Sequence, residues 1–197
     1  MAMKRVIGFV GSPRKKGNTH LLVSKILEGA QAEGAAAEIV FLGDLTIREC
    51  DGCLACWKGK PCPKQDDMNG LYPKIAESDA VVFGTPVYWY GPTALMKALI
   101  DRFVYFNCPE NRAKIRNKPA ILAIPYEEED PTTADLVVAL FEKSLAYLEM
   151  SLLGQVVVSG VAKKGDVLRK QASLAEGYEL GRRAAGRAVT MEERDQA

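Results

Sequence analysis

Short apolar runs alternate along the chain with longer segments whose apolar residues recur every three or four positions. The runs predict five strands, at 6–10, 38–42, 80–84, 120–124 and 155–159. The periodic segments predict helices at 21–30, 67–77, 92–105, 130–150 and 166–189. Pro92 suits a first helical turn because proline lacks the N–H that would be unsatisfied there. Asp130 and Pro131 have the pattern of an N-cap and a first helical residue.

Strict alternation of strands and helices predicts an α/β protein with a doubly wound parallel sheet. The strands are apolar throughout, as in sheets that are covered on both faces. Five such strands predict the flavodoxin-like order 2-1-3-4-5, with a cysteine-rich loop at 43–67 inserted after strand 2. We expect a single domain at 1–190 and a polar tail at 191–197.

Composition excludes several classes of protein. The 197 residues are 48% hydrophobic and 26% charged, with a net charge of +1, so no basic surface for nucleic acid is expected. No apolar run approaches the roughly 18 residues that a membrane span needs. The first ten residues are typical of a strand rather than a signal peptide, so we expect a cytoplasmic protein with few disulfides. The single histidine, His20, disfavours a Ser-His-Asp triad or a His-rich metal site.

Four cysteines are spaced C-x2-C-x2-C-x5-C, at Cys50, Cys53, Cys56 and Cys62. Bacterial ferredoxins use the related run C-x2-C-x2-C-x3-C-P for iron–sulfur clusters, so the spacing favours a [4Fe–4S] cluster. Structural zinc usually takes paired cysteines separated by a longer spacer, and a redox C-x-x-C pair does not usually come with two more cysteines. Zinc, a redox pair and a merely structural set remain alternatives. Cys108 lies apart and is expected in the core or a loop.

The turn after the first strand, 11–19, has the composition of a phosphate-binding loop. It lies where open α/β sheets bind ligands, before a helix N-terminus that favours anions. Its candidate ligands are Ser12, Arg14, Gly17, Asn18 and Thr19. The turn matches neither G-x-G-x-x-G nor G-x-x-x-x-G-K-[ST], which argues against an NAD-type Rossmann domain and a P-loop NTPase. The alternative is a solvated basic turn that Asn18 caps.

The loop after the third strand, 85–92, carries three consecutive aromatic residues. Tyr88, Trp89 and Tyr90 stand between Pro86 and Pro92. Strands 1 and 3 are expected to be neighbours, so this loop would lie beside the phosphate loop. The aromatics could form a wall for a planar ring, and the alternative is a plug over the core.

Together, the segments 11–19 and 85–91 and the cysteine motif resemble the iron–sulfur flavoproteins, a branch of the NADPH-dependent FMN reductase group. The resemblance extends from Lys4 to about Ala188. The first two segments are shared with the wider group, whereas the cysteine motif is specific to the branch. The resemblance implies a flavodoxin-like fold with FMN and one [4Fe–4S] cluster per subunit, in a homodimer or homotetramer.

The resemblance also implies positions for both groups. Ser12, Arg14, Asn18 and Thr19 would hold the FMN phosphate, and the four cysteines would hold the cluster. The residues around the flavin ring would be Pro86, Val87, Tyr88, Trp89 and Gly91. Gly17 and Tyr90 are expected at the same cofactor site. No catalytic side chain is expected, because the flavin carries the chemistry.

The implied activity is an FMN-dependent oxidoreductase that passes electrons between cluster and FMN. Ferredoxin or NAD(P)H would be the donor, and a small molecule the acceptor. Alternatives are an NAD(P)H-dependent FMN or quinone reductase without a cluster, and a non-enzymatic electron carrier or redox sensor. The loop at 125–130 departs from the wider group because it contains Glu127, Glu128 and Glu129. Three carboxylates would repel the phosphates of a nicotinamide nucleotide, which argues against direct use of NADPH. The alternative is that this segment is a solvated loop with no specific role.

Overall fold

The computed structural model describes residues 3–186. Five strands form its sheet: β1 Arg5–Val10, β2 Ala36–Phe41, β3 Ala80–Gly84, β4 Pro119–Pro125 and β5 Ser151–Val158. The helices are α1 Asn18–Ala32, α2 Met68–Glu77, α3 Ala94–Arg102, α4 Pro109–Arg112, α5 Asp135–Tyr147 and α6 Gln171–Ala185. Short 3-10 turns occupy 42–44, 56–58, 103–107, 131–134 and 166–169.

All neighbouring strands are parallel, and their order is β2-β1-β3-β4-β5, as the sequence predicts. Alternate residues of each strand enter one of two apolar cores. Phe9, Phe83 and Leu122 pack under α2, α3 and α5, whereas Val10 and Val82 pack under α1 and α6. The sheet is therefore covered on both faces, which explains its uninterrupted apolar runs.

The predicted helix at 92–105 is wrong at both ends. It begins at Ala94, because Thr93 is the N-cap and its side chain accepts a hydrogen bond from Met96 N. Pro92 therefore lies outside the helix, not in its first turn. The helix ends at Arg102, and a 3-10 turn continues to Asn107.

Other boundaries differ because local hydrogen bonds tighten the entry to a helix. Asp130 does cap a turn, with its side chain accepting from Thr132 N, but this turn is 3-10 and α5 begins only at Asp135. A 3-10 turn likewise precedes α6. β5 begins at Ser151 rather than 155. Its pairing register with β4 shifts between Ala120 and Ile121, and the alternation of apolar and polar residues does not reveal such a shift. The short α4 was not predicted.

The cysteine-rich loop has little regular structure, as expected, with a 3-10 turn at Cys56–Lys58. The predicted helix end at Val189 and the polar tail 191–197 lie outside the described residues. In the part of the chain that the structure describes, no helix combines the length and the apolar character that crossing a bilayer requires.

Helices α1 and α6 cross in backbone contact at two glycines. A Cβ on Gly181 would lie 1.8 Å from Ile26 O, and one on Gly29 would lie 1.9 Å from Tyr178 O. Gly181→Ala should therefore lower the free energy of unfolding by about 1–3 kcal/mol, as overpacking does. Gly70→Ala is the control, because its Cβ would meet nothing within 4 Å. Gly70→Ala should raise the free energy of unfolding by up to about 1 kcal/mol, because alanine has the higher helix propensity. Urea denaturation measures both, and equal effects of the two variants would contradict the packing argument.

Lys118 is 7% exposed and its ammonium closes the C-terminal end of α2. Nζ donates to Ile75 O at 2.8 Å, to Ala76 O at 3.0 Å and to Ser78 O. Burial lowers the pKa of Lys118 from 10.5 to about 8. Between these values the unfolded chain binds the proton that the folded chain has released, so stability rises with pH.

This linkage predicts how Lys118→Met changes the pH profile. From pH 8 to 10.5, the unfolding free energy of the wild type should rise relative to the variant by up to about 3 kcal/mol. Denaturation of both proteins at several pH values measures that difference. A difference that stays constant over this range would mean that the three carbonyls keep the ammonium protonated.

Candidate functional site

The carboxyl ends of β1, β3 and β4 lie side by side, and the loops that follow β1 and β3 are bonded to each other there. Gly11 N donates to Gly84 O at 2.7 Å, and Thr85 N donates to Ala123 O at 3.0 Å. Thr93 connects the same segments, because its hydroxyl donates to Gly11 O while its N–H donates to Thr85 Oγ1 at 3.2 Å. These bonds hold the loops after β1 and β3 side by side, as the predicted strand order requires.

The loops enclose a cleft, which we call the strand-end cleft. Its lining includes the predicted residues Ser12, Arg14, Asn18, Thr19, Pro86, Val87 and Tyr88. The sequence did not assign the other residues that line it, which are Pro125, Tyr126, Glu127, Val161 and Ala162. Pro125 ends β4, and the others follow β4 or β5. The rule that ligands bind beyond the carboxyl ends of strands was therefore the signal that could have found them.

The phosphate loop keeps its hydroxyls inside. Ser12 and Thr19 are both buried, and Ser12 Oγ accepts from Arg14 N at 3.2 Å. α1 begins after Gly17, which has no side chain to cap it. Uncapped N–H groups at a helix start, with an arginine beside them, fit a dianionic phosphate.

The side chain of Asn18 bonds to the segment after β5, and its contact with a phosphate stays a prediction. Its Nδ2 donates to Val161 O and Lys163 O, both at 3.0 Å. Its Oδ1 accepts from Gly165 N at 3.0 Å and Val167 N at 3.2 Å. The side chain is thus fully engaged with the segment after β5, and a phosphate would be met by its backbone N–H. The N-cap of α1 is Gly17 rather than Asn18.

The aromatic loop is a tight hairpin. Tyr88 and Gly91 exchange backbone hydrogen bonds of 2.8 and 3.0 Å. The two central residues are left-handed, with φ of 50° at Trp89 and 59° at Tyr90. Trp89 is 96% exposed, so the aromatic plug over the core is wrong for this residue. Trp89, Tyr90 and Gly91 lie outside the lining of the strand-end cleft, and their contact with a flavin ring stays a prediction.

Left-handed backbone at two bulky residues stores strain, because such turns favour Asn-Gly. The double change Trp89→Asn and Tyr90→Gly should raise the free energy of unfolding by about 1–3 kcal/mol. If the aromatics form part of the flavin site, the same variant should bind FMN more weakly. Thermal unfolding without FMN and fluorescence titration with it measure the two effects. A variant less stable than the wild type would contradict the strain argument.

The four cysteines come together, as the sequence predicts. Cys50, Cys53, Cys56 and Cys62 all line one cavity, which we call the cysteine cavity. All four are free thiols, and their exposure ranges from buried Cys56 to exposed Cys53. Gly52 N donates to Cys50 Sγ at 3.4 Å. Burial raises the pKa of the Cys56 thiol. Cys108 is buried apart from this set, as expected.

Arg102 supports the cysteine cavity from beneath and is only 1% exposed. Its Nη2 donates to Cys62 Sγ at 3.3 Å, and its Nε donates to Tyr72 Oη at 3.2 Å. Its Nη1 donates to Asp66 Oδ2 at 2.6 Å and to Arg48 O at 2.9 Å. Burial would raise the pKa of Asp66, but the hydrogen bonds from Arg102, Arg48 and Met68, together with the charge of Arg102, outweigh burial and keep the pKa low. A buried ion pair therefore presents a guanidinium N–H to Cys62.

The chemistry of the donor set bears on which group the cysteine cavity could hold. Four thiols line it, and thiolates bind both tetrahedral zinc and [4Fe–4S] clusters. The donor set, four cysteines with a buried arginine and a backbone N–H, suits an iron–sulfur cluster.

Helix α3 joins the two sites. Thr93 at its N-terminus bonds the phosphate loop, and Arg102 at its C-terminus bonds Cys62. Nine residues at ~1.5 Å each separate the ends by about 14 Å. A second link is the ion pair of 2.6 Å between Lys15 in the phosphate loop and Asp44 at the start of the cysteine-rich loop.

The sheet order and the cleft at its switch point define a flavodoxin-like α/β protein. Its fold is similar to that of an NAD(P)H:quinone oxidoreductase from Methanothermobacter marburgensis, with a TM-score of 0.72 and 19% identity over 95% of this chain and 98% of that one. The profile of the family described as NADPH-dependent FMN reductase matches residues 4–165, so the chain belongs to that family. FMN is the cofactor that the family implies.

Two curated relatives share part of the sequence. An iron–sulfur flavoprotein of Methanocaldococcus jannaschii is 41% identical over 98 residues, covering 50% of this chain and 51% of the relative. One of Archaeoglobus fulgidus is 43% identical over 98 residues, covering 50% and 48%. The chain thus spans about half the length of the curated relatives it matches.

Proposed function

We propose that the protein is an FMN-dependent oxidoreductase that passes electrons between a [4Fe–4S] cluster and FMN. The observation that carries the proposal is the pairing of two sites by one helix. All four cysteines line one cavity, the phosphate and aromatic loops line the strand-end cleft, and α3 bonds to both. The names of the relatives, iron–sulfur flavoproteins, support the same pair of cofactors.

FMN would bind with its phosphate at the start of α1. Ser12, Arg14, Thr19 and the N–H groups after Gly17 would hold the phosphate, and Pro86, Val87 and Tyr88 would flank the ring. Arg14 Nη1 donates to Ala162 O at 3.1 Å, so its guanidinium already lies at the cleft with donors to spare. Asn18 would act indirectly, by holding the segment 161–167 against the loop.

The cluster would be held by Cys50, Cys53, Cys56 and Cys62. When bound, the cluster exchanges single electrons and the flavin exchanges one or two. The guanidinium of Arg102, paired with Asp66, would donate to Cys62, and Gly52 N would donate to Cys50. Hydrogen bonds and charge near cluster sulfurs favour the reduced, more negative state, so this shell would raise the reduction potential.

The donor is proposed to be ferredoxin or a similar protein rather than NADPH. Glu127 lines the strand-end cleft, and Glu128, Glu129 and Asp130 follow it as exposed residues. Carboxylates at this rim would repel the phosphates of a nicotinamide nucleotide. The acceptor is proposed to be a small molecule, and the assembly a homodimer or homotetramer.

Cofactor content tests the proposal. Protein purified without oxygen, or reconstituted with iron, sulfide and FMN, should contain about four irons and one FMN per chain. Iron and sulfide assays, together with flavin fluorescence after denaturation, give these ratios. Zinc in place of iron, with steady NADPH oxidation, would instead support an NADPH-dependent FMN reductase without a cluster. That outcome is the second candidate, which the family match favours.

A further inference from the structure

A second cleft adjoins the cysteine cavity, and we call it the tyrosine cleft. It encloses about 510 Å³ between the segment 59–62, helix α2 and the segment 105–114. That volume is within the range of sites that bind small molecules. None of its lining residues lines the strand-end cleft, so FMN at the proposed position would leave it open.

The walls of the tyrosine cleft combine flat apolar surfaces with polar side chains. The rings of Tyr72 and Tyr105 stack with centroids 3.9 Å apart and planes 22° apart, so each covers one face of the other. Tyr72 is buried and Tyr105 is half-buried, so the ring surface that the cleft offers is mainly that of Tyr105. Pro61 and Pro73 add two more flat surfaces. Rigid aromatic and proline surfaces suit a planar ring, which can slide against them without disturbing side chains.

The polar residues of the cleft favour a negative charge. Lys60 and Lys114 both line it and are exposed, whereas Glu110 is the carboxylate among its lining residues. Lys114 Nζ donates to Asn111 Oδ1 at 3.1 Å, and Asn111 Nδ2 donates to Tyr105 O at 3.0 Å. These bonds hold one ammonium near the tyrosine pair. Two cations against one carboxylate leave an excess charge of +1 for a ligand to neutralise.

The tyrosine cleft shares three residues with the cysteine cavity: Cys62, Tyr72 and Tyr105 line both. A molecule in the cleft would therefore lie against a cysteine that we assign to the cluster. Arg102 bonds Cys62 Sγ and Tyr72 Oη from the other side. Both residues are thereby held in place whether or not the cleft is filled.

We propose that the tyrosine cleft is a second small-molecule site, for a planar ring compound that carries one negative charge. The placement of such a compound beside the cluster rests on the proposed function. The existence of the site does not, because its walls belong to the protein itself. A sulfonated or carboxylated quinone is the chemical class that combines a flat ring with one anionic group.

Anthraquinone-2-sulfonate is a suitable probe, and 2-(hydroxymethyl)anthraquinone is its uncharged counterpart. Equilibrium dialysis with FMN-loaded protein should give saturable binding of about one sulfonate per chain, with weaker binding of the uncharged compound. The double variant Lys60→Glu and Lys114→Glu should weaken sulfonate binding at least tenfold and change binding of the uncharged compound less than threefold.

Lys58→Glu is the matched control, because Lys58 is exposed in the same loop but does not line the tyrosine cleft. It should leave sulfonate binding unchanged. Thermal unfolding of each variant establishes that the fold is intact. Absence of saturable binding, an equal loss in Lys58→Glu, or displacement of the probe by excess FMN would overturn the proposal.

A second copy of the chain is the rival occupant of the cleft. In that case the double variant would lower the mass measured by analytical ultracentrifugation and the wild type would not bind the probe, which would also overturn the proposal. Iron and flavin assays on the same samples report on the proposed function separately. Probe binding by protein that takes up no iron would support the second small-molecule site and contradict the cluster. Iron uptake without probe binding would support the cluster and overturn the second site.

Discussion

Replacing any one of the four clustered cysteines by alanine should remove the cluster. The iron content should fall from about four atoms per chain to less than one, because each thiolate holds one corner of the cluster. Broad absorbance near ~400 nm should disappear with it, and the FMN content should remain, since no cysteine lines the strand-end cleft. Metal analysis, sulfide assay and visible spectra after identical anaerobic reconstitution measure these changes.

Cys108→Ala is the control for this series. Cys108 is buried like Cys56, and its Sγ donates to Tyr105 O at 3.8 Å, but Cys108 does not line the cysteine cavity. Its removal should leave the iron content unchanged. Full iron content in Cys62→Ala would contradict the assignment, and one zinc per chain lost in all four variants would show that the site holds a single ion.

Arg102→Met should lower the free energy of unfolding by about 3–5 kcal/mol, because it strands a buried carboxylate. The side chains of Arg102 and Asp66 are each 1% exposed, and their atoms meet at 2.6 Å. After the substitution, Asp66 keeps the backbone donors of Arg48 and Met68, at 3.1 and 3.2 Å, and a longer ion pair of 3.9 Å with the exposed guanidinium of Arg48. Urea denaturation of iron-free protein measures the change without a contribution from cluster loss.

Two further variants separate the buried charge from lost packing. Arg102→Met with Asp66→Leu should recover much of the loss, because neither charge then remains buried. Arg116→Met removes an exposed arginine that pairs with Glu149 at 2.7 Å, and it should change stability by less than about 1 kcal/mol. A double variant as unstable as Arg102→Met alone would mean that packing, not charge, causes the effect.

Much of the fold could be predicted because its determinants are local. The apolar runs of β1, β3 and β4 are within a residue or two of their observed bounds, since a strand buried on both faces has no competing pattern. Helix ends were less predictable. Thr93 caps α3 and leaves Pro92 outside the helix, because the Thr93 hydroxyl donates to Gly11 O and accepts from Met96 N. Gly11 is 82 residues away in the chain, so the sequence pattern could not show this.

In the candidate site, too, features set by local sequence could be predicted and features set by distant contacts could not. Cysteine spacing is a local signal, and it predicted that four thiols share one cavity. The role of Asn18 could not be predicted, because its four partners lie at 161–167 and depend on where β5 ends. Arg102 was missed altogether. In the sequence it is one more basic residue at the end of an amphipathic helix. Its burial depends on hydrogen bonds to residues distant in the chain, namely Arg48, Cys62, Asp66 and Tyr72.

Helix α3 constrains how the chain can change in length. Its two ends are bonded to separate sites, so the number of residues between Thr93 and Arg102 sets their relative orientation as well as their separation. Inserting one residue would turn the Arg102 side chain by about 100° around the helix axis and away from Cys62. Insertions in 94–101 should therefore be excluded among functional relatives.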